Sequence, residues 1–191
     1  MKGNTPNSIL EMLLNGVGGL FHLFPPAEGA VRYALTNLNV FIKRTAFSAP
    51  HLAPAPLCLW ISDEGFLYPG VLRHSSVIPV SNWLLVKTKN AKDVWLTADE
   101  ASQTGLFPFI FIRPSANCHA VYLRRLQLST ERSKSRVFVF TSFKLPHWFL
   151  KGAWNMSGTG IAVKDRLQLT QDKSNPLSDY DGALRNVSNH C

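Results

Sequence analysis

Residues 136–145, RVFVFTSFKL, constrain the fold more than any other stretch of this chain. Strand alternation places Phe138 and Phe140 on one side and Val137 and Val139 on the other. Both sides are apolar, so this strand belongs inside a sheet that is covered on two faces. A chain of 191 residues is long enough to build that cover within one domain. Its 46% hydrophobic content, with five Trp and twelve Phe, supplies the core material. The 17% charged content is low for a disordered chain.

Ahead of that strand the chain divides into a helical start and a β-rich remainder. Ser8 and Glu11 form a capping box for a first helix, with Ile9, Met12, Leu13, Val17, Leu20 and Phe24 on one face. Asn15-Gly16 offers an early stop, and Pro25-Pro26 ends the helix in any case. Glu11, Asn15 and His22 interrupt the apolar run 9–24, which reads as a packed segment and not as a signal or membrane anchor. A second helix is expected over 27–38. Residues 46–56, with three prolines, read as an extended connector. Strands are expected at 57–62, 66–72, 77–80, 83–88, 94–97 and 107–112, with a short helix opened by Thr97 and closed by Gly105. Residues 119–128 fit a strand or a three-turn helix. A strand is favoured, because 129–135 then makes a polar hairpin loop into 136–145. One more strand is expected over 158–170.

The resulting expectation is a single α+β, β-rich domain over residues 1–170. Its helical part spans 1–45, its connector 46–56 and its β-rich part 57–170, with a polar tail at 171–191. The sheet is expected to be mainly antiparallel or a partly open barrel, with one or two N-terminal helices.

The net charge is +8, and it is not spread evenly. Residues 115–151 carry Arg124, Arg125, Arg132, Lys134, Arg136, Lys144 and Lys151 against Glu131 alone, a net +6. In a hairpin over 119–145 these side chains gather around the loop. Such a patch attracts phosphates and gains affinity from counterion release.

Two local patterns lie in or beside the same stretch. Arg136 followed by Phe138, Phe140 and Phe143 resembles the main motif of RNA-recognition domains, in which aromatics stack on bases. Val137 and Val139 stand where that motif has small residues, and residues 33–38 (YALTNL) lack the aromatic of its partner motif. Gly152, Gly158 and Gly160 have a spacing that resembles the glycine-rich loop of CRISPR-associated repeat-processing RNA-binding proteins, with Thr159 where an aromatic is usual. The implied function in both cases is RNA binding.

Catalytic and metal chemistry find little support. His22, His51, His74, His119, His147 and His190 are scattered, and none has a partner at a metal-ligand spacing. Asp63-Glu64 and Asp99-Glu100 are used by a turn and a helix, so no acid–base couple stands out. Three cysteines, Cys58, Cys118 and Cys191, argue against a disulfide framework and for a reducing, cytoplasmic setting. The leading expectation is a non-enzymatic protein that binds RNA or another single-stranded nucleic acid through the seven basic residues. No cofactor or metal is expected, and no membrane. A structural or assembly subunit with protein partners is the alternative. A metal-independent ribonuclease using His22 or His51 comes third.

Overall fold

Five short apolar runs, GLFHLF, CLWIS, WLLVK, FIFIR and RVFVF, become strands, and a sixth follows them. In a computed structural model of the protein, residues 9–16, 18–24, 28–48, 55–65, 67 and 69–155 are described. The strands are β1 (Gly19–Phe24), β2 (Cys58–Ser62), β3 (Trp83–Lys87), β4 (Phe109–Arg113), β5 (Arg136–Phe140) and β6 (Leu150–Asn155). The helices are α1 (Ile9–Leu14), α2 (Glu28–Ser48), α3 (Pro69–Ser75), α4 (Ala91–Thr104) and α5 (Ala120–Ser133). Short 3-10 turns at Val80–Asn82 and His147–Phe149 lead into β3 and β6.

The six strands form one sheet in the order β3-β2-β4-β5-β1-β6, and every neighbouring pair is parallel. This corrects the antiparallel, β-rich expectation: the fold is α/β. The physical reason is visible in the strands themselves. A parallel strand needs a crossover to reach the next one, and the crossover helices cover both faces of the sheet. The inner strands are therefore buried and mostly apolar: β1 and β2 are buried at every position, and β4 and β5 at all but one.

The intervening segments are the crossovers. Residues 69–75 and 91–104 are helical where strands were expected at 66–72 and 94–97, and 120–133 is helical where a strand and hairpin loop were expected. The residues of 77–80 form no strand. Helix α2 extends to Ser48, into the stretch read as connector, and β1 lies within the stretch read as helical. Residues 156–191, which include the expected strand 158–170 and the tail, lie outside the described residues.

Two apolar layers sandwich the sheet. On one face Phe21, Trp60, Phe111 and Phe138 pack with Leu13 of α1, Leu35 and Leu38 of α2 and Leu72 of α3. On the other, Leu20, Leu59, Ile61, Ile110, Val137 and Val139 pack with Val94, Trp95 and Ala98 of α4 and with Leu123 and Leu126 of α5. Inner strand β5 is apolar on both sides for this reason, as its sequence required.

Helix ends follow local chemistry. Asn90 caps α4 by accepting from the Asp93 N–H at 3.0 Å, and Gly105 closes it at φ +68°. Helix α1 stops at Gly16, also left-handed at φ +67°. Helix α5 ends on Lys134 at φ +61°, an unusual cap for a residue with a side chain.

Candidate nucleic-acid interface

Helix α5 is amphipathic, and the spacing of its residues decides where the charge goes. Leu123, Leu126, Gln127, Ser129 and Thr130 are buried. Val121, Arg124, Arg125 and Arg132 fall at helical spacing on the outer side, all exposed, and Lys134 is exposed just beyond the last turn. Three of the seven candidate residues thus share one helix face, and a fourth, Lys134, stands at its end. From Arg124 to Arg132 that face runs about 12 Å.

Two of the arginines are held in place. Arg125 Nη2 lies 3.0 Å from Asp99 Oδ2 on α4, with the arginine half exposed and the carboxylate buried. Asp99 Oδ1 accepts from Ser129 Oγ at 2.7 Å. Arg124 Nη1 donates to Gln127 Oε1 at 2.8 Å. Each guanidinium keeps further donors for an incoming phosphate.

The other three candidates are elsewhere. Lys151, at the start of β6, pairs with Glu131 at 2.7 Å. Its stem lies across Gly19, whose φ of +147° and missing side chain make room for it. Arg136 opens β5 on the opposite side of the sheet from α5. Its guanidinium lies 5.2 Å from the Phe41 ring centre and 5.4 Å from that of Phe109, and Nη2 donates to the Leu13 carbonyl at 3.4 Å. Burial pushes the Arg136 pKa below its usual value. Lys144 follows the carboxyl end of β5, with Nζ 5.7 Å from the Phe24 ring. The sequence concentrates seven cations within thirty-seven positions, and the fold sends them to four places.

Phe138 and Phe140 are fully buried, so neither is open for a base to stack on. The glycine pattern continues past 155 and lies outside the described residues apart from Gly152, which is buried in β6. An aromatic that the sequence reading passed over is better placed. Phe149 joins the same apolar layer as Leu123 and Leu126 and sets the turn 147–149 against α5. Its neighbour Trp148 is 53% exposed. An exposed Trp immediately before a buried Phe was the available signal.

Adjacent strands send their connections to opposite faces at β3/β2, β2/β4 and β5/β1, the kind of position at which α/β sheets bind ligands. Between β2 and β4 the loops are tied to each other. Asp63 accepts from the Ser115 backbone N–H at 2.9 Å and contacts its hydroxyl, and Arg113 Nε lies 3.1 Å from Glu64 Oε2. Ser62 Oγ donates to the Arg113 carbonyl at 3.0 Å and accepts from the Glu64 N–H at 3.2 Å. Side chains spent in this way have little left for acid–base work.

Between β1 and β5 lies His22, 1% exposed and stacked on Phe24. Its Nε2 is 2.7 Å from Thr141 Oγ1, which itself donates to the Phe143 carbonyl at 2.6 Å. The threonine proton is thus engaged, and Nε2 carries the hydrogen that it donates. Burial, with the nearby His147 adding to it, lowers the His22 pKa to about 4. His22 is therefore a neutral, sequestered group, unlike a surface catalytic base. His51 lies outside the described residues.

A pH dependence follows. The unfolded chain protonates His22 near its ordinary 6.5 and the folded chain only near 4, so the unfolded state binds more protons in that window. The stabilisation is whole above pH 6.5 and declines as pH falls toward 4, by roughly 3 kcal/mol in total. Urea unfolding across pH 4 to 7 is expected to show this decline in the native protein. In His22→Gln, which keeps a donor for Thr141, that component is expected to be missing. An identical pH profile in the two proteins would contradict the placement of His22.

Among the described residues no group of three His, Cys, Asp or Glu side chains is placed to hold a metal ion. Nor, among them, is any helix long and apolar enough to cross a membrane.

The fold is thus an α/β sandwich around a six-stranded parallel sheet. SulA from Pseudomonas aeruginosa is among the solved structures similar to it, at 10% identity and a TM-score of 0.42, over 64% of this chain and 95% of that one. No protein-family model matches the chain, and no curated protein matches it in sequence.

Proposed function

We propose that the protein is a non-enzymatic binder of RNA or another single-stranded nucleic acid, and that the outer face of α5 is its contact surface. The observation that carries this reading is the alignment of Arg124, Arg125 and Arg132 on one exposed helix face, with Lys134 exposed just past its end. Glu131, the acidic residue on that helix, is occupied by Lys151. The four cations contact phosphates, and Trp148 on the neighbouring turn stacks on a base. Lys144 and Arg136 take no part, and Lys151 acts by neutralising Glu131. Cys58 and Cys118 are free thiols, which supports a reducing, cytoplasmic setting.

Fluorescence anisotropy with a labelled single-stranded RNA, repeated across salt concentrations, tests the reading. Four phosphate contacts give a log–log salt slope of about −3 on a single strand, and Arg124→Glu with Arg132→Glu brings it to about −1.4. Trp148→Ala weakens binding about tenfold and leaves the slope unchanged, because stacking releases no counterions. A flat salt dependence in the native protein, or a slope untouched by the double reversal, defeats the proposal. Lys144→Glu serves as the charge control and leaves the slope as it is.

A further inference from the structure

The two edges of the sheet are guarded differently. Edge strand β6 has a register irregularity where it pairs with β1, opposite Leu20 and Phe21, and carries Lys151 at its second position. Bulges and lysines of this kind keep an edge from recruiting another strand. Among the described residues edge strand β3 pairs with β2 alone, in unbroken register, and its sequence WLLVK holds no charge before the last residue. Leu84 in its centre is 50% exposed. Val80, in the turn that leads into β3, is exposed as well. An exposed leucine at the centre of β3 and an exposed valine at its approach lie beside an edge that pairs with no further strand among the described residues.

Charge says what kind of strand the edge suits. Lys87 ends β3, and Lys89 and Lys92 follow it into α4, all exposed. Among the described residues no carboxylate pairs with any of the three. A second copy of this chain is a poor match: antiparallel pairing of β3 with itself brings together two chains of net charge +8 and leaves these lysines unanswered.

We propose that the open edge of β3 is a docking site for an extended segment of another protein, which joins the sheet as a seventh strand, places apolar side chains at alternate positions, and presents acidic residues to Lys87, Lys89 and Lys92. Backbone hydrogen bonds supply the adhesion, and the lysines set which end of the incoming strand lies where. This site is separate from the α5 face.

The test uses the full chain and short fluorescein-labelled peptides of alternating valine and threonine. One pair carries two glutamates at the amino or the carboxyl end, and a matched pair carries lysines instead. A glutamate peptide is expected to bind in one of the two orientations, about tenfold more tightly than its lysine counterpart. Leu84→Lys is expected to weaken it by about tenfold with the thermal midpoint unchanged, since the side chain is half exposed. Lys87→Glu with Lys89→Glu is expected to reverse the preference, a result that misfolding does not produce. No binding, equal binding of glutamate and lysine peptides, or indifference to Leu84→Lys overturns the proposal. A native dimer in sedimentation that Leu84→Lys splits also overturns it, in favour of self-pairing.

Discussion

Gly18→Ala is expected to destabilise the protein by about 3 kcal/mol, the upper part of the range for overpacked sites. A Cβ at Gly18 meets the Thr130 carbonyl oxygen at 2.5 Å and the Lys134 Cα at 2.7 Å. Both are backbone atoms and cannot rotate away. Here β1 enters beneath the last turn of α5, and the Gly19 N–H donates to the Ser135 carbonyl at 3.0 Å. To admit a methyl group the helix end must lift, carrying Arg132 and Lys134 with it. Gly105→Ala is the control. Nothing lies within 4 Å of the Cβ position at Gly105, and the cost is only that of a left-handed backbone, about 1 kcal/mol. Urea midpoints compare the two. Equal effects would show that β1 and α5 are not in contact at Gly18.

The second large effect is expected at Phe111. Trp60, Phe111, Phe138 and Phe21 are partners in register on β2, β4, β5 and β1, so a row of aromatic side chains crosses four adjacent strands. Phe111 stands 5.0 Å from the Phe138 ring centre and 5.2 Å from that of Trp83. Removing it empties the middle of the row, and Phe111→Ala is expected to cost about 3–5 kcal/mol. Phe111→Leu keeps most of the volume and is expected to cost about half as much. Calorimetric unfolding measures both. A loss below 1 kcal/mol for the alanine variant would contradict the packing of this layer.

Some of this fold was legible in the sequence, and the limits have physical causes. RVFVF announced an inner strand covered on both sides. GLFHLF, CLWIS and FIFIR carry the same signature, and four such runs already favour a parallel sheet. Periodicity does not distinguish a buried strand from a piece of buried helix, so GLFHLF was absorbed into the helix before it. Helix α5 was misread because its polar last turns, STERS, have hairpin-loop composition; the decisive pattern is the inward set Leu123, Leu126 and Thr130 at spacings of three and four. In α4 the closing Gly105 was evident, whereas the true cap is Asn90 and not Thr97.

The site was legible in its composition and not in its layout. A charge count finds the seven cations. It cannot find that Arg136 lies against two phenylalanine rings, or that Lys151 is spent on Glu131. Both facts depend on strands that meet far along the chain, and the register that brings them together is not written in either segment.

The place of β1 has a consequence during synthesis. Among the described residues the first strand in chain order lies between the last two, and Gly19 has no strand partner there until Arg136 has been made. At about 5–20 residues per second the ribosome needs on the order of ten seconds to cover that interval. Throughout it the apolar segment GLFHLF lacks both of its strand partners. Cover for that segment before then must come from something other than its strand partners. A product terminated before Arg136 lacks both strands that flank β1.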